Sequence, residues 1–100
     1  MVELAERLVA DLDGLADLFA AERGRIAVVM ATPFDHVTGA APAAGFFPGL
    51  RALCDAHGDL FAMDDVRAGF RFHPGGSCEY FGAAPHLVCF SQAIANGHPL

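Results

Sequence analysis

From Leu12 to Ala21 the apolar residues Leu12, Leu15, Ala16, Leu18 and Phe19 recur at helical spacing. That spacing predicts a helix, with Asp11 or Asp13 as a cap and Gly24 as its end. Residues 1–10 either extend this helix or form a separate turn, and Gly14 weakens continuity. Ile26 to Ala31 is a short, continuous apolar run with β-branched residues, the mark of a buried strand. Residues 32–48 are rich in Pro, Gly and Ala and read as a loop. From Phe47 to Ala56 helical spacing returns, with Leu50, Leu53 and Cys54 on one face and His57-Gly58 as the stop. Leu60 to Met63 is a second buried strand ending in Asp64-Asp65, and residues 67–76 are a second loop. A short helix is expected from Ser77 to Phe81, then a third strand over Leu87-Val88-Cys89-Phe90, closed by Asn96-Gly97.

Continuous apolar strands alternating with helices predict an α/β fold with a partial parallel sheet and flanking helices, covered on both faces. Three strands are too few to shield themselves, which points to a slice of something larger. Composition agrees. One hundred residues allow one domain at most, and 54% of them are hydrophobic. Such an apolar load exceeds what a small domain buries alone. No apolar run reaches the roughly 18 to 20 residues of a membrane helix, so no membrane partner is expected. Glu3, Glu6 and Asp11 interrupt the N-terminus, so no signal peptide is read there.

Charge narrows the partners. The net charge is −6, and a nucleic-acid partner is not expected, because phosphate contacts need clustered Lys and Arg. All six basic residues are arginines: Arg7, Arg23, Arg25, Arg51, Arg67 and Arg71. Cys54, Cys78 and Cys89 are odd in number and lack metal-site spacing. Reduced thiols in a cytoplasmic protein are the expectation. His36, His57, His73, His86 and His98 are scattered, so no metal site is read. His57 suits a helix C-terminus. Ser77, Cys78 and His73 lie close in sequence, but nothing orients them as nucleophile and base.

Ligands of open α/β sheets bind beyond the carboxyl ends of the strands. Asp64 and Asp65 end the second strand, and Gln92 lies just past the third. Position alone favours a capping or solvated role for the two acids.

Leu60 to Arg71 reads LFAMDDVRAGFR. It resembles the segment of class III pyridoxal-phosphate aminotransferases in which a hydrophobic strand ends in Asp-Glu-Val, followed by Gly-Phe-Arg. Upstream, Gly49 to Cys54 with His57-Gly58 looks like the preceding helix of that family. Asp11 to Leu15 and Ile26 to Val29 fit the segment before it. Downstream, Gly75-Gly76, Glu79-Tyr80-Phe81-Gly82, Pro85 and Leu87 follow in family order. The resemblance covers residues 11–100, and the glutamate-semialdehyde aminomutase branch fits best. It implies that residues 1–100 are a fragment of the fold-type I large domain that binds pyridoxal phosphate. It also implies a parent enzyme that moves amino groups between an amine or amino acid and a carbonyl acceptor, working as a homodimer.

Residue by residue, Asp64 matches the aspartate that pairs with the pyridine nitrogen of the cofactor, and Val66 the residue that packs on the ring. Gly69, Gly75 and Gly76 shape the nearby loops. Asp65 replaces the usual glutamate, His86 a usual aspartate, and Thr32-Pro33 a frequent Glu-Pro. Gln92 stands at the position of the catalytic lysine that forms the Schiff base, and no lysine exists elsewhere in the chain. The phosphate cup that precedes this region in the family is not in these 100 residues. The expectation is an inactive cofactor-binding segment. The alternative is a non-catalytic remnant that acts as an interaction module of an intact paralogue, or as a weak cofactor binder.

Overall fold

A computed structural model describes residues 12–71, 73–95 and 97–99. The expectation for residues 1–10, and Asp11 as a cap, lie outside the described residues. The elements are α1 (Leu12–Ala21), β1 (Val28–Ala31), α2 (Phe46–His57), β2 (Leu60–Asp64), α3 (Gly76–Phe81), β3 (Leu87–Cys89) and α4 (Gln92–Ala95).

The sheet is parallel throughout, in the order β1-β2-β3. Val28 pairs with Leu60, and Ala31 with Met63. Ala62 pairs with Leu87, and Asp64 with Cys89. The helix between β1 and β2 ends as its sequence predicts. Gly58 adopts φ 72° and caps α2 through its N–H on the carbonyls of Asp55 and Cys54. A left-handed residue there falls naturally to glycine, which carries no Cβ. His57 does not supply the cap. Its ring lies against Phe19, with centroids 5.3 Å apart.

The core forms where α1 and α2 meet one face of the sheet. Leu15 and Phe19 of α1, then Phe46, Phe47, Leu50 and Cys54 of α2, pack on Ala31, Phe61 and Met63. Phe47 stacks on Phe61 at 6.2 Å and meets Phe81 of α3 edge-on at 5.8 Å. Residues two apart on a strand share a face. Phe61 and Met63 therefore look toward the helices, while Leu60 and Ala62 look away. On that second face Val28, Met30, Leu60 and Leu87 are each 44–52% exposed. Coverage of both faces is thus not met among the described residues, because α1 and α2 pack on the same side.

β1 begins at Val28 and not at Ile26, and the end of the third strand differs from the sequence pattern as well. β3 stops at Cys89, and Phe90 leaves the ladder to stack on Phe70 at 4.9 Å. The run Leu87–Phe90 is uniformly apolar, so hydropathy gives no sign of that turn. After it, Gln92–Ala95 forms a short helix that the apolar pattern does not signal.

Candidate functional site

The carboxyl ends of all three strands meet at one cavity of about 420 Å³, lined by Thr32, His36, Asp64, Val66, Arg67 and Gln92. Thr32 directly follows β1, Asp64 is the last residue of β2, and Gln92 opens α4 just beyond β3. Asp64, Val66 and Gln92, singled out in the sequence, are therefore brought together. Thr32, His36 and Arg67 are additions. The strand-end rule applied to β1 points to Thr32. Arg67 lies three residues after Asp64, and His36 carries no sequence signal.

Backbone hydrogen bonds fix this edge. The Asp65 N–H donates to the Cys89 carbonyl at 2.9 Å, carrying the β2–β3 ladder one residue further. The Ala93 N–H donates to the Val66 carbonyl at 3.1 Å. The loop after β2 is thereby tied to the start of α4, which keeps Asp64 and Gln92 on one rim. Gly69 lies in the same loop. A Cβ there would sit 2.7 Å from the Asp65 carbonyl oxygen and 2.8 Å from the Phe90 ring, so the close approach needs glycine.

The two adjacent acids have separate duties. Asp64 is half-buried on the cavity wall. Its Oδ1 accepts the Val66 N–H at 3.2 Å, and among the described residues Oδ2 has no hydrogen-bond partner. Asp65 is fully buried. Its Oδ2 accepts the Ser77 N–H at 2.9 Å, and its Oδ1 accepts the Ser77 hydroxyl at 2.5 Å. A buried carboxylate needs such donors. They anchor the start of α3 beneath the site and leave Asp65 none of the cavity. Gly76, at φ 78°, lets the Asp65 carboxylate approach, with Oδ2 only 3.1 Å from where a Cβ would stand.

That pairing also settles Ser77, Cys78 and His73. The Ser77 hydroxyl is engaged by Asp65, and His73 Nδ1 accepts the Gly75 N–H at 3.0 Å. Burial, with the charge of Asp65 as a smaller cause, pushes the Cys78 thiol above its ordinary range. No nucleophile and base are paired here. Among the described residues, no group of three His, Cys, Asp or Glu side chains is placed to hold a metal ion.

His86 has a structural place at the opposite end of the β2–β3 ladder. Its N–H donates to the Phe61 carbonyl at 2.8 Å, and its Nδ1 accepts the Phe61 N–H at 2.9 Å. The Nε2–H then faces Asp55 Oδ1 at 3.1 Å. Asp55 also accepts from Arg51 Nε at 3.0 Å, and Arg51 Nη1 donates to the Ala84 carbonyl.

The model of the family described as Aminotransferase class-III matches residues 3–100. A glutamate-1-semialdehyde 2,1-aminomutase of Anaeromyxobacter sp. (strain Fw109-5) is 43% identical over 91 residues. Its counterpart in Chloroflexus aggregans is 41% identical over 91 residues. Each match covers 90% of this chain and 21% of the relative. Among solved structures, the FumI protein of Sphingopyxis sp. MTA144, in its PLP internal aldimine form, superposes with a TM-score of 0.80 at 40% identity. That match covers 90% of this chain and 22% of FumI. A glutamate-1-semialdehyde-aminomutase of Pseudomonas aeruginosa PAO1, a lysine-to-alanine variant in complex with PMP, superposes at 0.77 with 32% identity. That match covers 90% of this chain and 19% of the aminomutase. The parallel sheet with its helices is thus a segment of the pyridoxal-phosphate-dependent, fold-type I aminotransferase architecture.

Proposed function

Because the chain belongs to the class-III aminotransferase family, we propose that it is the segment of such an enzyme that receives the ring of pyridoxal phosphate. The convergence of Asp64, Val66 and Gln92 on one cavity at the strand ends carries this reading. The donor set suits the ring. Asp64 Oδ2 is open to a protonated pyridine nitrogen, and a carboxylate beside that nitrogen keeps the proton on it. Val66 offers an apolar wall. When bound, the cofactor supplies an electron sink for the substrate carbon that loses its proton. In the parent protein this serves transfer of an amino group between an amine or amino acid and a carbonyl acceptor, in the manner of the aminomutases it resembles. Residues 1–100 are on this reading one fragment of the large domain. The chain spans about a fifth of the length of the curated relatives it matches.

The chain by itself does not transaminate. A carboxamide at position 92 cannot condense with an aldehyde, and it cannot move a proton as a free amine does. Absorbance and borohydride reduction with pyridoxal phosphate test this. No internal residue should give a reducible adduct in the native sequence, whereas Gln92→Lys should give one at position 92 without gaining turnover. A Gln92→Lys protein that is labelled only elsewhere would remove the ring from this cavity.

A second reading rests on the open sheet face. Val28, Met30, Leu60 and Leu87 form an apolar surface suited to a polypeptide partner. The chain would then be a non-catalytic remnant docking on an intact relative, or a subunit of a homodimer. Co-expression with an intact class-III aminotransferase separates the readings. A stable mixed complex lost on Met30→Glu favours the remnant. The free cysteines support a reducing, cytoplasmic setting.

A further inference from the structure

The cavity holds a second charged side chain, facing the same space as Asp64. Arg67 lies on its wall with Thr32 and His36. Among the described residues the Arg67 guanidinium has no hydrogen-bond or ion-pair partner. Arg51 is committed to Asp55 and Ala84, Arg25 to Glu22 at 3.1 Å, and Arg71 Nε to the Arg67 carbonyl. A guanidinium presents five donors in a planar fork that matches carboxylate and phosphate oxygens. Thr32 adds a hydroxyl and His36 an imidazole. His36 sits in a braced loop: Asp35 Oδ1 accepts the N–H groups of Val37 at 2.8 Å and Thr38 at 3.2 Å.

We infer that Arg67, with Thr32 and His36, forms an oxyanion subsite opposite Asp64. It takes either the phosphate of the molecule whose protonated ring nitrogen meets Asp64 or the carboxylate of a second molecule bound beside that ring. The cavity of about 420 Å³ thus offers a guanidinium to the anion and a carboxylate to the ring nitrogen. In a chain of net charge −6, the guanidinium gives an anion a local counter-charge. The inference deepens the proposed function and rests on it for the role of Asp64, but not for the role of Arg67.

Two sources supply that oxyanion, the phosphate of the cofactor and the carboxylate of an amino-acid substrate. Amide and side-chain NMR titrations of the labelled chain distinguish them. The probes are inorganic phosphate, succinate, pyridoxine phosphate and pyridoxine, none of which carries an aldehyde. Saturable shifts from the first three should centre on Thr32, His36 and Arg67. Preference for pyridoxine phosphate over succinate assigns the subsite to the cofactor, and the reverse order assigns it to substrate. Arg67→Gln should weaken all three anions by roughly tenfold or more and leave pyridoxine unchanged, while Arg67→Lys should recover part of the loss. Asp64→Asn should weaken pyridoxine and spare inorganic phosphate and succinate. Anions that bind equally well after Arg67→Gln, that shift only residues outside this cavity, or that give no saturable shift overturn the subsite. Pyridoxine that ignores Asp64→Asn, with anion binding still dependent on Arg67, removes the ring-binding reading and leaves the subsite standing.

Discussion

The imidazole of His86 takes the place of a strand carbonyl for Phe61, accepting its N–H at 2.9 Å while the His86 N–H returns to the Phe61 carbonyl at 2.8 Å. A side chain thus extends the ladder at the end of β2 remote from the cavity. His86→Ala leaves the Phe61 N–H without its acceptor. The expected loss is about 1–3 kcal/mol, measured as a lower urea midpoint. An unchanged midpoint would show that water serves Phe61 equally well.

The same cluster responds to acid. Hydrogen bonding from Arg51 holds the Asp55 carboxyl below its ordinary value of 3.8, with Arg51 and His86 charge as smaller causes. A depressed folded-state value means that the ionised form is favoured in the fold. Its contribution is fully present above the ordinary value and is lost as pH falls through the lower, folded one. The stability difference between the native sequence and Asp55→Asn should therefore hold at neutral pH and shrink in strong acid. The effect is small because Asp55 is exposed.

Asp65 is fitted to its site by length as well as by charge. Ser77→Ala removes the hydroxyl partner of a buried carboxylate and should cost about 1–3 kcal/mol. Asp65→Glu, the residue usual in the family, forces an extra methylene toward Gly76 and Ser77 and should cost about 1–3 kcal/mol through overpacking. Thermal melts of both variants check this. A glutamate variant as stable as the native chain would mean that α3 shifts freely to admit it.

Cys54 is fully buried, and burial raises its thiol to about 11, with Asp59 and Asp55 adding to the shift. The thiolate is the reactive form. In the folded chain Cys89, which is half-buried, should react with a disulfide reagent well before Cys54, and Cys54 should react only on unfolding. Peptide mapping after timed labelling distinguishes them. Early modification of Cys54 would show that α2 opens without global unfolding.

The sequence made three things legible: the alternation of helices and strands, the stop at Gly58 and the strand ends as the place where Asp64 and Gln92 meet. These rest on local signals, namely apolar runs, glycine and the parallel-sheet rule. Long-range geometry was not legible. Nothing in Asp64-Asp65 tells which acid faces the cavity, because that is decided by Ser77, twelve residues later. Phe90 continues an apolar run, yet it leaves the strand to stack on Phe70. Arg67 and His36 reach the site through loops whose course no periodicity encodes. The role of position 86 was visible as a departure from the family, but its purpose needed the pairing with Phe61.

Among the described residues, β1 and β3 pair with β2 alone. Each outer strand therefore keeps a row of backbone donors and acceptors that can template a further strand, beside the apolar face of Val28, Met30, Leu60 and Leu87. The consequence is colloidal. Charge repulsion keeps molecules apart in dilute, low-salt solution, and added salt screens it. For this chain, self-association should therefore rise with concentration and with ionic strength, which light scattering across a salt series checks.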